Sequence, residues 1–74
     1  MDFALCYMRA NETMPYFTRR SQVLPFVGMT VRYHNGMTGS IEQYRVTAVE
    51  EDAYGWPNNQ VSQCTIRVFL EEVK

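Results

Sequence analysis

Residues 26–49 read FVGMTVRYHNGMTGSIEQYRVTAV, and this stretch decides the fold class. Met29, Val31 and Tyr33 share one parity while Thr30, Arg32 and His34 share the other, the alternation of a strand whose successive side chains point to opposite faces. Asn35-Gly36 follows, a pair that tolerates positive φ and so favours a reversal. Met37-Thr38-Gly39-Ser40 intervenes before the next strand-like segment, so the turn is expected to exceed two residues or to carry a bulge at Gly39. From Ile41 onward, Tyr44, Val46 and Ala48 share one face and Gln43, Arg45 and Thr47 the other. Ile41 has the wrong parity for that inner face, which predicts a register irregularity near Glu42.

Working outward, the C-terminal segment alternates most cleanly: Cys64, Ile66, Val68 and Leu70 against Thr65, Arg67 and Phe69, predicting a strand from Ser62 to Glu71. At the other end, the short apolar run Phe3 to Met8 stops at Arg9, and its length favours a strand. Pro15 and Pro25 bracket Tyr16 to Leu24; proline lacks a backbone donor, so neither can sit inside a sheet. Residues 10–25 therefore read as a long loop with a helical turn near Phe17 to Gln22, and a loop of that length in a small domain points to function. Glu50-Glu51-Asp52 and Gly55-Trp56-Pro57-Asn58-Asn59 reverse the chain before the last strand.

Four such strands without a crossover helix imply an antiparallel meander that must curl to cover one face. The expected class is mainly β: a small antiparallel SH3-like barrel of four or five strands, with a long loop before the central hairpin. The residues Val27-Gly28-Met29-Thr30-Val31-Arg32-Tyr33, continuing through Asn35-Gly36 to Gly39-Ser40-Ile41, resemble the KOW type of SH3-like barrel. There, a VG-x-x-V strand leads through a glycine turn to a G-x-I/V strand. The resemblance covers about a third of the chain and implies a small barrel that binds RNA, DNA or protein.

A length of 74 residues leaves room for a single domain, 1–74. A domain this small buries only about 60% of its unfolded surface, so its stability is expected to be a few kcal/mol. The formal charge of −1 argues against a surface that attracts nucleic acid everywhere, but the charge is unevenly spread. Between Thr13 and Ile41 there are three arginines and no acid. Six of the seven basic residues are arginine, which favours planar, bidentate contacts. No apolar run is long enough for a membrane-spanning helix, and MDFALCYMRA lacks a basic n-region, so a cytoplasmic protein without a membrane role is expected. Cys6 and Cys64 lack metal-ligand spacing and sit at apolar parity, so buried reduced thiols are expected; a bridge would require their strands to be neighbours.

No catalytic, metal or cofactor site is expected. His34 is the only histidine and stands beside a turn, with no nucleophile or orienting group identifiable around it. The Glu50-Glu51-Asp52 and Glu71-Glu72 groups read as solvated strand ends, and the glycines form no phosphate-binding loop. Parity suggests a binding surface instead. If Val31, Val46 and Ile66 face the core, Arg32, Arg45 and Arg67 face outward from three strands. In similar register they would form a basic stripe for phosphates, with help from Arg19 and Arg20. Equally, arginine is ordinary on the wet face of a sheet, paired with a cross-strand Glu42 or Glu71. Tyr16, Phe17, Trp56 and Phe69, with Val23, Leu24 and Phe26, supply either an apolar patch for a protein partner or a second copy of the chain, or a loop that folds over an open barrel end. The expected function is a non-enzymatic module for protein–protein interaction, with nucleic-acid binding through the arginines as the alternative.

Overall fold

The computed structural model describes residues 2–52 and 66–73, and the regular structure in those residues is all strand. Strands β1 (Phe3–Arg9), β2 (Phe17–Ser21), β3 (Thr30–His34), β4 (Ile41–Glu51) and β5 (Ile66–Glu72) hydrogen-bond in the order β2-β1-β5-β4-β3. This single mixed sheet curls into a half-barrel, so the mainly-β, barrel-like class holds. Among the described residues there is no helix long and apolar enough to cross a membrane.

The strand pairing departs from a meander at one place. β1 and β5 run parallel, Leu5 opposite Ile66 through Arg9 opposite Leu70, whereas the other three pairs are antiparallel. β1 therefore lies inside the sheet with β2 on one side and β5 on the other. The sequence carries the mark of that position. Phe3 to Met8 does not alternate because both faces of β1 are covered: Leu5 and Tyr7 on one side are 1% and 3% exposed, Cys6 and Met8 on the other 1% and 6%.

The second departure lies in residues 17–21, expected to be loop or helical turn and found as β2. This strand pairs antiparallel with β1 from Tyr7 opposite Phe17 to Phe3 opposite Ser21. Tyr16 N–H extends the pairing by donating to the Tyr7 carbonyl at 2.7 Å. Both prolines fall outside the strand, so neither costs a ladder hydrogen bond. Its sequence, FTRRS, shows no apolar alternation because an edge strand with one free side has little to bury beyond Phe17. The long loop is thereby divided into a turn at residues 10–16, with Asn11 at φ 64°, and a connection at residues 22–29.

The concave face carries the core, built from Leu5, Tyr7, Tyr44, Val46, Ile66, Val68 and Leu70. β4 pairs with β3 without interruption from His34 opposite Ile41 to Thr30 opposite Arg45. Ile41 is simply left half-exposed, so the irregularity expected near Glu42 is absent there. It falls instead between Val46 and Ala48, against β5. The extra residue shifts parity, so Val49 pairs with Val68 and packs on the core while Ala48 meets Phe69 on the convex side.

The β3–β4 connection spans residues 35–40. Asn35 Oδ1 accepts from the Met37 and Thr38 amides at 3.0 and 3.4 Å, Gly39 N–H donates to the Asn35 carbonyl at 2.8 Å, and Asn35 N–H donates to Ser40. The left-handed residue is Gly39, φ 74°, and Asn35-Gly36 is not a two-residue reversal. Cys6 is disulfide-bonded, which corrects the expectation of a reduced thiol at that position. Cys64, Trp56 and the expected start of the last strand at Ser62 lie outside the described residues.

Candidate functional site

The two ends of the sheet, β2 and β3, face each other across the mouth of the half-barrel without hydrogen-bonding to one another. Aromatic rings close the gap. Phe17 stacks on Tyr33 with centroids 4.3 Å apart and planes 9° from parallel, and on its other face it stacks on Tyr7 at 4.5 Å and 13°. Tyr16 adds edge-on contacts to Phe17, Tyr33 and Tyr44. Such pairs contribute roughly 0.5–1.5 kcal/mol each beyond the area they bury. Tyr16 and Phe17 are thus half-buried closing elements of the barrel.

One end of this seam is polar. Glu42 on β4 accepts hydrogen bonds from the Tyr44 hydroxyl at 2.7 Å, the Tyr16 hydroxyl at 2.8 Å and the Asn35 side-chain amide at 3.3 Å. These donors, Tyr44 and then Tyr16 foremost, hold the Glu42 carboxyl below its ordinary range. Burial, reinforced by Glu42, pushes the Tyr44 hydroxyl up to about 12. The Arg9 guanidinium lies 3.7 Å from the Tyr16 ring centroid and hydrogen-bonds Glu12. The Glu12 hydrogen bond holds Arg9 more firmly charged, and Arg9 in turn lowers the Glu12 carboxyl. Glu42 joins the β1–β2 turn, the β3–β4 loop and the barrel body through one carboxylate. The sequence marks Glu42 as a cross-strand partner for arginine and as the place of a register irregularity, and hides this role because its donors come from positions up to 26 residues away.

The other end is apolar. Residues 22–29 leave β2 through a serine-stabilised turn, with Val23 N–H donating to Ser21 Oγ at 3.1 Å. They are then pinned to β4: Gly28 N–H donates to the Val46 carbonyl at 2.8 Å, and Val46 N–H to the Met29 carbonyl at 2.9 Å. Gly28 has φ 94°, a conformation that side chains oppose. Pro25 is buried beneath the segment, which holds up four large apolar groups: Val23 (74% exposed), Leu24 (44%), Phe26 (66%) and Val27 (63%). Beside them, a small cleft opens between Tyr7, Arg19, Ser21, Leu24, Pro25 and Met29.

The arginines do not gather into one stripe. β3, β4 and β5 are adjacent, but Arg45 pairs with Glu71 and Arg67 with Glu50, which separates the two arginines by four residues along β5, about 13 Å. Arg67 Nη2 also binds Glu50 and Asp52, at 3.3 and 3.1 Å, the carboxylate pairing usual on a wet sheet face. Arg32, opposite Gln43, lies diagonal to Arg45. Arg19 and Arg20 are exposed on β2, and among the described residues neither they nor Arg32 and Arg45 have a carboxylate within ion-pair distance. Phe69 is half-buried on the convex face opposite Ala48, and Trp56 lies outside the described residues. His34 is exposed at the end of β3, and no group of three metal-ligating side chains occurs among the described residues.

Comparison with protein-family models, with curated proteins and with solved structures finds no match.

Proposed function

We infer that this protein is a non-enzymatic binding module that engages another protein through the segment Val23 to Val27. One observation carries this reading: Val23, Phe26 and Val27 are largely exposed and Leu24 partly so, on a connection that buried Pro25, Gly28 and two hydrogen bonds to Val46 hold in place. Contiguous apolar side chains on a fixed backbone cost little entropy to bury and are a common mark of interaction surfaces. The small SH3-like barrel class is compatible with such a role. Cys6 is disulfide-bonded, and disulfides persist chiefly in oxidising compartments, so the reading does not depend on a cytoplasmic location.

The test uses the folded chain as bait, with Phe26→Asp/Val27→Asp as control. A partner recovered by the wild type should bind it again when both are pure, and the double substitution should weaken that binding at least tenfold while leaving the melting temperature unchanged. A purified partner that binds both forms equally would contradict the site.

Nucleic-acid binding is the second reading, supported by Arg19, Arg20 and Arg32 lying in an acid-free stretch without ion-pair partners among the described residues. Its signature is an affinity for oligonucleotides that falls steeply with salt and is lost when these arginines become alanine.

A further inference from the structure

β2 and β3 end the sheet, and each pairs with one strand only, so a row of backbone N–H and C=O groups on each faces no strand among the described residues. Such an edge is a template for an added strand. The edge of β2 is also charged. Arg19 sits opposite core Leu5 in register and shares the parity of Phe17, so it lines the cleft with Tyr7, Ser21 and Met29; Arg20 has the opposite parity and faces the convex side. Across the seam, β3 contributes Arg32, and residues 13–41 contain no acid at all.

Charge separates the candidate occupants. A second copy joining edge to edge would set Arg19 and Arg20 against their own counterparts, and like charges directly opposite destabilise a strand pair. Building on the protein-binding role assigned to Val23 to Val27, on which this inference rests, we propose that the free edge of β2 receives an extended, acidic segment of the partner protein as an additional strand. One carboxylate meets Arg19 in the cleft, and a neighbouring one meets Arg20 on the convex side. An apolar residue beyond them packs on Val23 and Leu24.

The test is selection of short random peptides displayed against the full chain, then fluorescence anisotropy of the winning peptides at low and moderate salt. Selected peptides should be rich in Asp and Glu with β-branched residues between them. Arg19→Ala/Arg20→Ala should weaken their binding roughly tenfold, and bound peptide should slow amide exchange in residues 18–20. Neutral or basic winners that depend on Phe26 and ignore Arg19 and Arg20 would overturn this inference while leaving the protein-binding reading intact. Failure to enrich any peptide would also overturn it, and the Phe26→Asp/Val27→Asp experiment then judges the broader reading separately. Labelled single-stranded DNA that binds more tightly than every selected peptide, with the same dependence on Arg19 and Arg20, would replace the acidic peptide with a nucleic acid.

Discussion

Phe17 and Tyr33 lie on opposite edge strands and stack at 4.3 Å, although β2 and β3 share no ladder. The half-barrel is thus closed on that side by a ring pair where a full barrel would use backbone hydrogen bonds. Among the described residues, β2 and β3 are therefore joined across the seam by side chains and by no backbone ladder.

Removing that ring should cost much of the stability of so small a domain. Phe17→Ala is expected to destabilise by about 3 kcal/mol, close to the whole stability expected at this length. Phe17→Leu keeps most of the apolar area and should cost about 1 kcal/mol. Urea unfolding of both variants, and of Tyr33→Leu alone and combined with Phe17→Leu, measures the coupling directly; an additive double mutant would deny the stack any role.

The fold was legible where one face of a strand is wet and the other packed. Val31, Tyr33, Tyr44, Val46, Ile66, Val68 and Leu70 alternate and all turn inward. It was hidden where that condition fails. β1 is covered on both faces and so does not alternate, and β2 carries Phe17 as its only large apolar side chain. The parallel β1–β5 pairing and the polar cluster at Glu42 depend on contacts between distant residues, which no local pattern encodes. Arg19 and Arg20 stand out in the sequence as exposed charges, but their place on the edge strand β2 does not.

Acid should act first through Glu42. Its folded-state pKa lies below the ordinary 4.5, so its contribution is complete above that value and disappears as pH falls through the depressed one. Thermal melting of the wild type should weaken below about pH 4.5, and Glu42→Gln should lower stability near neutrality while flattening the acid limb. An unchanged acid limb in Glu42→Gln would show that the carboxylate is not held by its three donors.

At the alkaline end the sign reverses. Tyr44 ionises near 12 in the folded protein against 10 for a free phenol, so the stability it supplies is present below pH 10 and declines as pH rises toward 12. Ultraviolet titration should find phenols ionising after the ordinary range, since Tyr7 and Tyr16 are also raised, by burial and by the Glu42 hydrogen bond, and Tyr44→Phe should remove the latest of them. Ionisation of every tyrosine near 10 would contradict the buried setting of this hydroxyl.

The two glycines of the β3–β4 loop should respond differently to alanine. Gly39 is left-handed at φ 74°, so Gly39→Ala should cost about 1 kcal/mol even though the space around it is open. Gly36 lies outside the left-handed region with equally open surroundings, and Gly36→Ala should be neutral or slightly stabilising. Equal effects at the two sites would contradict this loop geometry.

The most direct test of the open seam is residue-by-residue amide hydrogen exchange in the free protein. Amides of β1 and β5, inside the sheet, should exchange only on global unfolding, while β2 and β3 should each show alternate protected and fast amides, the fast ones pointing into the seam. Continuous protection through residues 17–21 and 30–34 would mean that a backbone ladder joins β2 to β3, leaving no free edge for a partner to occupy.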